Sequence, residues 1–276
     1  MSLTVNTNMA SMNAINNLSK TTRDLSGSFS RISSGLRIVS AVDDAAGLGV
    51  AENLDASYRS AMQAMRNTND GISIVQVGEG AANEVGNMLK RMRELAMESA
   101  SETLADDERA YIQDEYEQLA SEVDRIASVT DFNGVQLTDG SNTGLDVQVG
   151  IRNTLNDRIN IELGDLRSTS LGVSTTDIDL SSATAAQAAL DAIDTAIDSV
   201  NQYRSTFGAI QSRLESTLNN LEVFSENTKS AESRIRDADY AFETAELSKL
   251  QIMQQAGIAV LGQANILNQG TLSLLA

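Results

Sequence analysis

Not one of the 276 residues is a proline, where average usage would place about 14. Proline removes a backbone donor and clashes with the preceding helical turn. Its complete absence leaves the chain free to run in long unbroken helices, and the apolar residues are spaced to match. Ile15, Leu18, Thr22, Leu25, Phe29, Ile32 and Leu36 follow one another at alternating steps of three and four. That spacing returns to one helix face every two turns and makes a coiled-coil seam. A lone helix cannot bury such a seam, and no partner helix follows immediately.

From Asp44 to Ala100 the rhythm recurs through Tyr58, Ala61, Met65, Thr68, Ile72 and Val75, then Gly78, Ala82, Val85, Leu89, Met92 and Ala96. Small residues in this seam admit a close neighbour. Gly71, Gly78, Gly80 and Gly86 each cost about 1 kcal/mol relative to alanine in a free helix, so packing has to compensate them. A third helix fits Asp106 to Val129, with Ile112, Tyr116, Leu119, Val123 and Ile126 on one face and acids in its first turn. Asn133-Gly134 marks a turn. The period then drops to two: Leu145, Val147 and Val149, then Ile159, Ile161 and Leu163, joined through Arg152–Asp157, predict a β-hairpin. Ser168 to Thr184 is Ser/Thr-rich and is expected to be an exposed loop. Helical spacing resumes at Ala186, Leu190, Ile193, Ile197 and Val200 and continues to the region of Thr228. From Tyr240 to Leu275, Leu247, Leu250, Gly257, Leu261 and Ala264 form a stripe, while Ile252, Met253, Ile258, Val260 and Leu267 spread apolar surface beyond it. A helix apolar over so much of its circumference requires neighbours on several sides.

The fold class expected is therefore mainly α: long coiled-coil-like helices forming an elongated bundle, with a small β-hairpin region at about 135–180. Residues 1–42 and 235–276 are expected to form terminal helices that pack together in an assembly, and 43–234 a domain of long helices plus the hairpin.

Composition narrows the function. There is no cysteine, histidine or tryptophan. Disulfides and thiolate chemistry are excluded, as are the common zinc, copper and haem ligand sets. The most frequent general base near neutral pH is missing as well, which argues against an enzyme; no cofactor is expected. Net charge is −18 and unevenly spread. Residues 1–40 carry Lys20, Arg23, Arg31 and Arg37 against Asp24, net +3, and 234–276 carry net −1, which leaves −20 in the middle. So acidic a centre opposes nucleic-acid binding. No stretch reaches the ~20 apolar residues that span a bilayer, so membrane insertion is not expected. The first twenty residues lack the charged start and apolar run of a secretory signal, so export is expected by another route.

Two acidic pairs, Asp43/Asp44 and Asp237/Asp239, suggest metal ligation, but helix capping explains them more simply. Met9, Met12, Met62, Met65, Met88, Met92 and Met97 fall at helical spacings suited to core and interface filling.

The segments RISSGLRIVSAVDDAAGLGVAE (Arg31–Glu52) and RNTNDGISIVQVGEGAANEV (Arg66–Val85) resemble the N-terminal signature of bacterial flagellins. The stretch from Ser233 to Ala276, which includes QQAGIAVLGQAN, resembles their C-terminal signature. The resemblance covers about 1–140 and 200–276. Val39 and Val42 depart from the polar residues of many members, and the large variable outer domains of longer flagellins are missing. The resemblance implies a secreted structural subunit that polymerises into the filament of the bacterial flagellum. It implies termini that are disordered in the exported monomer and fold into paired helices in the filament core. The residues that would carry this interface are Ile15, Leu18, Leu25, Phe29, Ile32, Leu36, Leu247, Leu250, Met253, Val260, Leu261 and Leu267. The implied partners are copies of the chain, a flagellar export chaperone on the C-terminal helix, and the filament cap and hook-associated proteins. Arg91 and Leu95, with Glu115 on the next helix, match the flagellin helix recognised by a host flagellin-sensing Toll-like receptor, although subunit packing is the better account of them for the chain's own function. The alternative reading is a hook–filament junction protein. A chemoreceptor-like coiled coil is disfavoured by the β-arms, and a zinc-protease insertion by the missing histidine.

Overall fold

The computed structural model describes residues 7–273, with side chains as far as Ile266. Helices α1 (Met9–Ser34), α2 (Ala45–Ser99) and α3 (Asp106–Val129) come first. Two short hairpins follow, β1/β2 (Asp131–Phe132, Val135–Gln136) and β3/β4 (Gly144–Gln148, Arg158–Glu162). A single turn, α4 (Ser168–Leu171), precedes α5 (Ala183–Arg236) and α6 (Tyr240–Ser273). The mainly α class with a small hairpin region in the middle is the one the periodicities predict. The chain divides into two compact units, residues 1–58 with 226–276, and residues 59–225.

The 59–225 unit is a three-helix bundle. Its core joins Val85, Leu89 and Met92 of α2, Ile112, Tyr116 and Val123 of α3, and Ile193, Ala196 and Val200 of α5. α3 starts where the Glu108 carboxylate accepts the Ala105 N–H (3.0 Å), with three acids in its first turn. The buried Arg109 guanidinium donates to the carbonyls of Ser99, Ser101 (2.8 Å) and Leu104 (3.3 Å). It thereby satisfies the carbonyl of Ser99, the last residue of α2, and two carbonyls of the connection to α3.

In the second hairpin Leu145 pairs with Ile161 and Val147 with Ile159, antiparallel. Its buried face, with Ile159 and Ile161, packs with Val75 of α2 and with Phe207, Ile210 and Leu214 of α5. Two of the glycines within α2 find their reason here. A β-carbon on Gly71 would stand 3.4 Å from Val147, and one on Gly78 would stand 3.3 Å from the Phe207 ring. Close approach of the hairpin and of α5 offsets the helix propensity these positions forgo.

The segment from Ser168 to Thr184 is not the exposed loop its composition suggests. Leu171, Val173, Ile178 and Leu180 are buried in the bundle core. The Ser168 N–H and hydroxyl both donate to Asp124 at 2.8 Å. The Tyr116 hydroxyl donates to the Val173 carbonyl (2.9 Å), and the Leu180 N–H to Gln113 (2.9 Å). The segment is a strap across the bundle, and polar residues such as Thr169, Ser170, Thr175, Thr176, Asp177 and Asp179 stay outside.

Candidate assembly interface

The 1–58/226–276 unit is built around an antiparallel pair, α1 and α6. Asn8 caps α1 by accepting the Ser11 N–H at 3.0 Å. The helix ends at Gly35, whose φ of 72° is the left-handed conformation that terminates helices and whose N–H donates to the Arg31 carbonyl. Leu36 consequently lies outside the helix, contrary to the heptad reading, and forms a β-bridge with Asp237. The bridge is extended by Arg37 N–H to Arg236 C=O (2.6 Å) and Ala238 N–H to Gly35 C=O (3.0 Å). The two connections into and out of the pair are thus stitched to each other.

Both acidic pairs act in turns. Asp44 accepts the Gly47 N–H (2.8 Å) at the start of α2. Asp43 accepts the N–H (2.9 Å) and hydroxyl (3.0 Å) of Ser40. The Ser40 backbone bond, above all, holds the Asp43 carboxyl below the usual aspartate range. Asp239 accepts the N–H groups of Ala241 and Phe242 at the start of α6, and Asp237 accepts the Ser233 hydroxyl.

At one end of the pair the Asn8 amide donates to the Ala264 carbonyl (3.0 Å). At the other the Tyr240 hydroxyl donates to the Ile32 carbonyl (3.0 Å). Between them α1 buries Ala14, Thr21 and Ser28, flanked by half-buried Leu18, Leu25 and Ile32. α6 contributes buried Leu250 and Ala264, half-buried Leu247 and Leu261, and Gly257, where a β-carbon would stand 3.3 Å from Leu18. Near the junction Glu243 is buried and accepts from the Ser28 hydroxyl and the Arg31 guanidinium, both at 2.8 Å.

The seam is therefore shifted from the one expected. Leu18, Leu25 and Ile32 belong to it, but Ile15, Thr22 and Phe29 do not: Ile15 and Phe29 are each 50% exposed, and Thr22 is exposed. α1 carries two overlapping stripes, and the one with small residues faces α6. On α6, Met253 and Val260, seven apart, lie exposed on one flank, while Ile258, Ile252 and Ile266 are exposed elsewhere around the helix. Leu267 lies outside the residues whose side chains are described. The α6 face of the seam is the stripe its spacing predicts, Leu247, Leu250, Gly257, Leu261 and Ala264. Sequence reasoning overlooked the small-residue face of α1 and Glu243; the signal on α1 was the step-seven recurrence of Ala14, Thr21 and Ser28.

In the 59–225 unit, Arg91 pairs with Glu115 at 2.7 Å and with Glu94 at 3.1 Å on the surface, and these bonds hold its guanidinium firmly protonated. Leu95 is not beside them on that surface: it is 1% exposed and belongs to the bundle core. Arg91 and Leu95 lie one turn apart on α2, but the helix phase turns Leu95 inward. Among the described residues no cluster of carboxylates is arranged to hold a metal ion. No described helix is long and apolar enough to cross a membrane.

Comparison with known proteins adds an independent line. Residues 5–143 match the bacterial flagellin N-terminal helical region, and residues 190–275 match the C-terminal helical region. The chain is 41% identical over 271 residues to a flagellin of Halalkalibacterium halodurans, covering 98% of this chain and 99% of that one. It is 39% identical, with the same coverage, to a flagellar filament core protein of Brachyspira hyodysenteriae. The crystal structure of Bacillus cereus flagellin is similar at a TM-score of 0.50 and 31% identity, over 56% of this chain and 88% of that one. A flagellar hook-associated protein of Vibrio parahaemolyticus shares the fold, at a TM-score of 0.59 and 15% identity.

Proposed function

This chain belongs to the bacterial flagellin family, and from that premise we propose that it is the structural subunit of a flagellar filament, a helical polymer of its own copies that serves as a swimming propeller. The observation that carries the reading is the arrangement of α1 and α6. The pair closes through small residues and leaves Ile15 and Phe29 on one helix, and Ile252, Met253, Ile258 and Val260 on the other, facing away from the seam. Burial of such apolar area is worth roughly 25 cal/mol per Å², and copies of the same pair can supply the cover on several sides.

On this reading residues 1–42 and 235–276 pack in the filament core and 43–234 form the layer outside it. Export through the flagellar type III channel suits a chain with no disulfide to break. Before assembly the apolar flanks of α6 suit an export chaperone, and growth takes place beneath a cap on a base of hook-associated proteins. The filament lies outside the cell. The Arg91/Glu115 surface is accessible to a host Toll-like receptor in the monomer, with Leu95 supporting it from within. Junction-protein chemistry gains nothing specific from the structure, since the hook-associated likeness is one of fold alone.

Seeded growth tests the reading. Purified monomer added to short filament fragments is expected to extend them under the electron microscope, whereas Ile15→Glu and a chain lacking residues 1–40 are not. A full chain that never extends seeds defeats the filament reading, and growth by the truncated chain defeats the role given to α1.

A further inference from the structure

We propose that the thioethers of Met9, Met12 and Met253 form a peroxide-sensitive modification site on the assembly face, and that their oxidation to sulfoxide stops a subunit from joining the polymer. This rests on the filament reading. The chain has nine methionines and no cysteine, so thioether is its only sulfur chemistry. The methionines are not equivalent. Met92 is wholly buried in the bundle core, whereas Met9 (60%), Met12 (50%) and Met253 (47%) are open to solvent.

Their placement is what gives oxidation a consequence. Met9, Met12 and Ile15 succeed one another at steps of three, so each neighbours the next around the solvent-open side of α1. Met253 shares a flank of α6 with Val260. These are the surfaces that a neighbouring copy would cover. In the reaction a sulfur lone pair attacks one peroxide oxygen, the O–O bond breaks, and the displaced oxygen leaves as water after proton transfer. Thioether and hydrogen peroxide thus give sulfoxide and water. The product replaces a flexible apolar group with a polar, chiral acceptor. Burying it against apolar side chains leaves that acceptor without a donor, which is unfavourable. A covered thioether in the finished polymer is out of reach of peroxide, so the site discriminates between free and assembled subunits.

The test treats monomer and preformed filament with hydrogen peroxide and maps sulfoxide by peptide mass spectrometry, with exposed Met97 and buried Met92 as internal references. Met9, Met12 and Met253 are expected to oxidise in the monomer at rates like that of Met97, and at least about tenfold more slowly in the filament. Oxidised monomer should elongate seeds at least about tenfold more slowly, with recovery after treatment with methionine sulfoxide reductases. A Met9→Leu/Met12→Leu/Met253→Leu variant, whatever its untreated rate, should elongate after the same peroxide exposure at that same untreated rate. The proposal is overturned if oxidised wild-type chain elongates normally, if the leucine variant loses elongation equally, or if the three residues oxidise as fast in the filament as in the monomer. Untreated monomer, run alongside, tests the filament reading by itself.

Discussion

Replacing Glu243 by alanine separates a positioning role from a merely decorative ion pair. Glu243 is buried between the two terminal helices and accepts one bond from Ser28 and one from Arg31. Hydrogen bonds to a charged group contribute about 1.5–3 kcal/mol each, and a buried group left without its partner costs about 1–3 kcal/mol. The two donors differ in what they can recover. The Arg31 side chain is 27% exposed and can turn to water, so its share is discounted. Ser28 is fully buried and cannot. The expected net loss is about 2–4 kcal/mol in the α1/α6 pairing. Since 1.4 kcal/mol is a factor of ten, amide exchange along α1 in assembled filaments should speed up by about 30-fold or more. Glu243→Gln should lose less, because its amide oxygen still accepts. Ser28→Ala in the Glu243→Ala background should restore roughly 1 kcal/mol by removing the orphaned hydroxyl, and the double-mutant cycle reads that coupling directly. If Glu243→Ala leaves α1 exchange within threefold of the parent, the network does not hold the pair and the reasoning fails.

Two further outcomes follow from the 59–225 unit. Phe207→Ala empties a fully buried site against Gly78 and should cost about 3–5 kcal/mol in urea unfolding followed by circular dichroism. Gly78→Leu alone overpacks that site at about 1–3 kcal/mol, and the pair of changes should cost less than their sum; strict additivity would show that the two do not share a space. Burial pushes the Tyr116 phenol well above the ordinary tyrosine range. Its folded value is raised, so its contribution to stability is full below about pH 10 and is lost as pH climbs through the folded value. In an alkaline titration the tyrosinate absorbance of one of the five tyrosines should therefore appear only with unfolding, and Tyr116→Phe should flatten the decline in stability above pH 10; a Tyr116 that ionises in the folded chain would contradict this.

Much of this architecture was legible because its periods are strong. The seams through Val85, Leu89 and Met92, and through Ile112, Tyr116 and Val123, recur often enough to fix helix and face together. The alternation around Val147 and Ile159 marks the hairpin arms in the same way. The strap was not legible, because Leu171, Val173, Ile178 and Leu180 sit among Ser, Thr and Asp with no sustained period. What places them is the uncovered core beneath, a property of the assembled bundle. The α1 seam was misplaced by one stripe for a different reason. Hydrophobicity ranks Ile15 and Phe29 above Ala14 and Ser28, so the eye follows the large residues, while packing against Gly257 and Leu250 selected the small ones. Arg91 and Leu95 show the remaining gap: likeness of sequence places residues along a helix but does not say which of them point inward.

The small-residue contact between α1 and α6 also sets a dimension. Helix axes pack 8–10 Å apart according to the side chains between them, and alanine, serine and glycine at the contact bring them toward the lower end. A slender pair occupies a narrow wedge when copies are arranged in a ring. For a given bore, more such wedges fit around the circumference than would fit if Ala14, Ser28 and Gly257 were replaced by large residues. In the proposed filament, the wall of the core would be divided into many thin staves rather than a few thick ones, and each stave would present residues such as Ile15 and Val260 to the next.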